Sequence, residues 1–159
     1  MPDQDNNGDF YGDLEVYPDD GTSPLMSGVT IRNFAKNSAR IEKGHHTWLD
    51  TVENIVDAGD FYIEIYGLAS MTGAQAYNKA LSERRAKAAE MYLKIMDVPD
   101  SKIHVSVGLG WDSLGPASKP GVENGYDRRV HIYIWKVPAR TLTKNFRKTS
   151  VNRVRMTFA

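Results

Sequence analysis

The sequence predicts an α+β sandwich in which two or more helices pack on one face of a mixed four-stranded sheet. Three observations lead there. Alternating apolar runs are separated by longer segments with apolar residues at helical spacing, in the order β-α-β-α-β-loop-β. The 159 residues suffice for one domain with a core but not for two of ordinary size. The 41% hydrophobic and 25% charged content is that of an ordinary folded domain.

The first strand is read at 27–34, where Ser-Gly-Val-Thr-Ile-Arg-Asn-Phe alternates. A helix follows over 42–58, with Trp48, Leu49, Val52, Ile55 and Val56 on one side and Gly59 at its end. Phe-Tyr-Ile-Glu-Ile-Tyr at 61–66 is the second strand. A long helix is expected over about 74–96. Thr72 and Gln75 suggest a capping box at its start. Tyr77, Leu81, Ala88, Tyr92, Ile95 and Met96 suggest its buried stripe. Ile103, Val105 and Val107 mark a third strand, the Gly/Pro/Ser/Asn-rich stretch 108–127 a loop, and 129–135 a fourth strand.

The balanced charge has a polar arrangement. Residues 1–24 carry seven acids and no Lys or Arg, whereas 136–159 carry seven bases and no Asp or Glu. The organisation expected is an acidic extension (1–24), a domain (25–136) and a basic extension (137–159). Phe10, Tyr11, Leu14, Val16 and Tyr17 are the residues with which the acidic arm can dock. The basic tail has two readings: an anionic partner such as nucleic acid or lipid, or pairing with the acidic end and solvation. The second is preferred, so nucleic acid is not expected as a partner.

Several functions are disfavoured. Without cysteine there is no disulfide, thiolate metal site or Cys nucleophile. No apolar run reaches the roughly 20 residues of a membrane span, and no signal peptide is visible in this chain. Asp3 to Asp9 resembles the opening of a calcium loop, but Leu14 stands where the bidentate Glu belongs. His45 and His46 are adjacent, and His104 and His131 are isolated, so no metal site is expected. Gly108-Leu109-Gly110 lacks the third glycine of a nucleotide loop. Ser70 and Ser82 have no sequence cue for a neighbouring base. The expectation is a non-catalytic protein that needs no cofactor.

Arg84-Arg85 is the most informative pair. Both fall beside the apolar side of the second helix, where a guanidinium either joins an internal ion pair or grips a ligand carboxylate with two hydrogen bonds. Asn78 lies on the same side two turns earlier. In this stretch, Gly67-Leu68-Ala69-Ser70, Leu81-Ser82, Arg85-Ala86 and Leu93 fall in register with a family signature. It is that of the OmpA-like peptidoglycan-binding domain, which opens Gly-His-Thr-Asp and continues, ten residues on, with Leu-Ser and Arg-Ala. Asp127-Arg128-Arg129-Val130 resembles the family's closing Asn-Arg-Arg-Val, and Phe34 to Ile41 resembles the segment after its first strand. The resemblance spans about 29–135.

The resemblance implies a βαβαββ sandwich that binds the diaminopimelate-containing stem peptide of bacterial peptidoglycan. It implies Arg85 as the carboxylate clamp and Asn37 and Asn78 as orienting residues. Ser70, Thr72 and Leu81 line the pocket, with Arg128 as support. The implied setting is the periplasm or cell wall of a Gram-negative bacterium. This chain departs from the family where Ser70 replaces the acid that takes the ligand's ammonium. Asp112, Glu123 and Asp127 are candidate replacements. The alternative is a scaffold with a degenerate ligand site. It would act as a protein–protein interaction module, for example in a secretion apparatus, engaging its partner through the charged termini.

Overall fold

The structure is a computed structural model that describes residues 10–18, 21, 23–111 and 125–137. Its strands are β1 (Gly12–Val16), β2 (Leu25–Ile31), β3 (Phe61–Gly67), β4 (Ile103–Gly108) and β5 (Val130–Lys136). Its helices are α1 (His46–Asp57) and α2 (Gln75–Ile95). The sheet runs β1-β2-β5-β3-β4, with every pair antiparallel except β3 and β4.

Alternation along the strands divides the sheet's two faces. Ile63 and Ile65 of β3, Ile132 and Ile134 of β5, and Val29 and Ile31 of β2 meet Leu49, Val52 and Val56 of α1. Ala86, Ala89 and Leu93 of α2 complete this core. The opposite face is aromatic and polar. Tyr62, Tyr66 and Trp135 are buried there, and between the two tyrosines on β3 lies Glu64, with no exposed surface. Neither Glu64 oxygen makes a hydrogen bond of ordinary geometry.

The sheet has five strands where four were expected. The fifth, β1, comes from the segment read as an acidic arm. Local bonds explain why it docks despite its charge. Arg32 Nη1 donates to Asp13 Oδ2 at 2.7 Å, and Arg32 N donates to the Tyr11 carbonyl at 2.9 Å. The Tyr11 ring also packs edge-on against His45, with centroids 5.1 Å apart. Asp13 therefore pairs with an arginine of the domain itself. Of the other residues expected to dock the arm, Tyr17 is half-buried, whereas Phe10, Leu14 and Val16 are exposed. The remaining expectations about the two extensions fall on residues outside those described.

His45 is a structural residue. Its Nδ1 accepts the Glu42 amide at 2.9 Å, so Nε2 carries the hydrogen that goes to the Arg32 carbonyl at 2.8 Å. Burial, the larger influence, pushes its pKa down and favours this neutral form.

Two local readings of α2 change. Its N-cap is Ala74, with no side-chain cap, so the Thr72–Gln75 capping box does not form. The first turn is held instead by Asn78, whose Nδ2 donates to the Thr72 carbonyl and, at 3.1 Å, to that of Ala74. The buried face is Asn78, Leu81, Ser82, Arg85, Ala86, Ala89 and Leu93. Tyr77, Ile95 and Met96, expected inside, are 44%, 72% and 37% exposed. The helix is thus turned from the stripe its large apolar residues suggest, because small residues let it lie close to the sheet.

Candidate functional site

The site forms where α2 crosses the carboxyl ends of β3 and β4. Gly67 and Gly108 close those strands, and a Cβ on either would collide with α2, at the Ser82 carbonyl oxygen and the Glu83 amide nitrogen respectively. Their bare backbones allow the helix to settle onto the strand ends. Ser82 completes the junction by donating to the Lys79 carbonyl at 2.7 Å and accepting the Gly110 amide at 2.8 Å. The sequence offers Ser82 as a motif match but does not reveal this clasp.

The turn after β3 continues the pairing on both sides. Leu68 N donates to Arg129 O at 2.8 Å, and Ala69 N donates to Gly110 O at 2.9 Å. Leu68 and Ala69 have no exposed surface, and Ser70 has 3%. Thr72 is half-buried, and its amide donates to Ser70 O at 2.9 Å.

Arg85 enters beneath this turn with no exposed surface. Its Nη1 donates to Leu68 O at 3.1 Å, its Nε to Ser38 O at 2.8 Å, and its Nη2 to Ala35 O at 3.2 Å. Its guanidinium carbon lies 5.4 Å from the centre of the Phe34 ring. One side chain thereby ties the segment after β3 to the 35–38 turn. That turn carries Asn37, exposed and left-handed at φ +56°. Arg128 braces the same segment by donating Nε–H to Phe34 O, while Phe34 N donates to Arg128 O at 3.2 Å.

The expected residues therefore converge through main-chain carbonyls. Arg85 and Arg128 hold the loop bearing Asn37. Asn78 holds Thr72, and Leu81, 2% exposed, packs on the same helix face. Arg84 diverges from this group: it is exposed, 5.9 Å from the Tyr77 ring centre. Asp127 is buried, with Oδ1 3.5 Å from Arg129 Nη1. Asp112 and Glu123 lie outside the described residues. Chemically, Arg85 is a desolvated cation met by carbonyl dipoles, an arrangement suited to an anion that can supplant one of them. Among the described residues, no three His, Asp or Glu side chains group to hold a metal ion.

The OmpA family profile matches residues 33–128, more than half of the sequence and the whole of this site. The chain belongs to the OmpA family. Solved structures share its fold. The peptidoglycan-associated lipoprotein from Burkholderia pseudomallei is 21% identical, with 73% of this chain and 97% of that one covered at a TM-score of 0.60. The OmpA-like domain of FopA1 from Francisella tularensis is 21% identical, over 77% and 88%, at 0.59. The cell wall anchor of the T6SS from Pseudomonas aeruginosa is 21% identical, over 69% and 81%, at 0.55. No curated protein matches the chain. Among the described residues, no helix of this OmpA-family chain is long and apolar enough to cross a membrane.

Proposed function

We propose that this chain is a non-catalytic peptidoglycan-binding domain that grips the stem peptide and tethers itself or a partner to the cell wall in the periplasm. A diaminopimelate carboxylate displaces the Ala35 or Ser38 carbonyl from Arg85, the exposed 35–38 turn giving way. The guanidinium is charged in both states, but a carboxylate brings a full opposite charge and a two-pronged fit that a single carbonyl dipole lacks, which favours the exchange. Asn37 and Asn78 orient the ligand, Ser70, Thr72 and Leu81 line its slot, and Arg128 steadies the wall. The observation that carries the reading is the buried Arg85 guanidinium at the junction of two turns, one of them exposed, in a chain of the OmpA family. The names of two structural relatives, a peptidoglycan-associated lipoprotein and a cell wall anchor, support it.

The test is a titration of isotopically labelled protein with meso-diaminopimelate, together with sedimentation on sacculi. Amide shifts at 35–38 and 68–72 and a shift of Arg85 Nε–H are expected. Ser70→Asp should tighten binding roughly 10- to 100-fold by adding an ion pair. Silence from both proteins overturns the proposal. A second reading, an interaction module whose ligand site has degenerated, is favoured by the wholly buried Leu68 and Ala69 and by uncharged Ser70. Binding that appears only in Ser70→Asp selects this reading.

A further inference from the structure

The sheet face opposite the helices holds a second, unrelated hollow of about 450 Å³. It lies over β1, β2 and β5, where register lines up two rows of side chains. One row is Asp13, Thr30 and His131, and the next is Glu15, Gly28 and Tyr133. Gly28, with no side chain at the middle of its row, forms the floor of the hollow between the Tyr17 hydroxyl and the Tyr133 ring. A Cβ there would sit 3.4 Å from Tyr17 Oη and 3.6 Å from Tyr133 Cδ1.

The chemistry of the walls is one-sided. Arg129 Nε–H can only donate, so His131 Nε2 accepts it at 2.9 Å, and the ring's other nitrogen donates to Thr30 Oγ1 at 2.9 Å. That pattern keeps His131 neutral. Asp13 is matched by Arg32. Glu15, exposed, takes the Tyr17 hydroxyl at 3.0 Å and makes no ion pair with a described cation. Among the described residues the lining offers carboxylates and tyrosine rings and no cationic side chain, with Arg32 and Arg129 bordering it through Asp13, His131 and Tyr126. Beside it runs β1, an edge strand, with Leu14 and Val16 exposed at 40% and 72%. An edge strand of this kind accepts an extended peptide, with alternate side chains falling into a neighbouring pocket.

We infer that this hollow is a binding site for a lysine or arginine side chain on an extended segment of a protein partner, held by Glu15 between the Tyr17 and Tyr133 rings. The inference is independent of the Arg85 site, which lies among the helices on the other face. It is tested on the full chain with three capped tripeptides, Ala-Lys-Ala, Ala-norleucine-Ala and Ala-Glu-Ala, read by amide shifts at 13–17, 28–30 and 131–133. The lysine peptide should bind in the millimolar range and more tightly at low salt, and the other two should not. Glu15→Gln should weaken it about tenfold or more through loss of the charged partner. Gly28→Val, a strand-compatible change that fills the hollow, should abolish it, with circular dichroism confirming the fold. Ser70→Asp should leave it unchanged. Three results each overturn the inference: no shift with the lysine peptide, equal binding of the norleucine peptide, or binding indifferent to both Glu15→Gln and Gly28→Val.

Discussion

Replacing Glu64 by Gln should stabilise the protein, and by an amount that depends on pH. Glu64 faces Tyr133 on one side and Val105 on the other, with Tyr62 and Tyr66 flanking it along β3. Burial pushes its carboxyl up to about 7, the nearby Trp135 indole pulling weakly the other way. An unfolded chain releases that proton near pH 4.5, whereas the folded one keeps it to about pH 7. Raising pH across that window therefore favours the unfolded state. The difference of roughly 2.5 pKa units, at about 1.4 kcal/mol each, amounts to about 3.5 kcal/mol, of which about 3 is reached by pH 7. Glutamine keeps the shape and has no charge to desolvate. Urea unfolding of both proteins from pH 4 to pH 8 measures the effect. Their stabilities should nearly coincide at the acid end and diverge by about 3 kcal/mol above pH 7. A gap that stays constant with pH would refute the reasoning.

His131 should show the opposite slope: burial, and then the Arg129 charge, lower its pKa to about 4 from 6.5. Its contribution is complete above pH 6.5 and lost as pH falls toward 4, so His131→Gln should flatten the acid limb of the same stability curve. Asp97 ends α2 in the left-handed region at φ +72°, with its amide on Lys94 O and that of Val98 on Leu93 O. Asp97→Gly should relieve this backbone and remove an anion from the helix's negative end, gaining about 0.5–1 kcal/mol in a melting experiment. Gly67→Ala should cost about 2 kcal/mol or more in urea unfolding and speed amide exchange at Gly110, because the new methyl displaces the helix segment that Ser82 anchors.

What could be read from the sequence depended on where the relevant energy resides. β3 was legible because Ile63 and Ile65 alternate with tyrosines, and α1 because Leu49, Val52 and Val56 repeat at helical spacing. The orientation of α2 was not, because its buried face sets only Leu81 and Leu93 among Ala, Ser, Asn and Arg, while larger apolar residues such as Tyr77 and Ile95 lie outside it. β1 was hidden by its acids, whose docking depends on Arg32, a residue distant in sequence. Arg85 stood out by its spacing from Leu81-Ser82. Its three carbonyl partners lie on main chain brought together only by the fold, and no side-chain pattern announces them.

The position of β5 has a kinetic consequence. It is the last strand in the described chain, yet it lies between β2 and β3. Until it emerges from the ribosome, the β1–β2 pair and the β3–β4 pair share no strand contact, and each leaves an edge open. Assembly must then join Val29 to Ile132 across about a hundred residues. Translation therefore delivers no stable partial product: the domain forms as a single late event, and the interval before it is when the nascent chain is most exposed to proteases and to pairing with its neighbours.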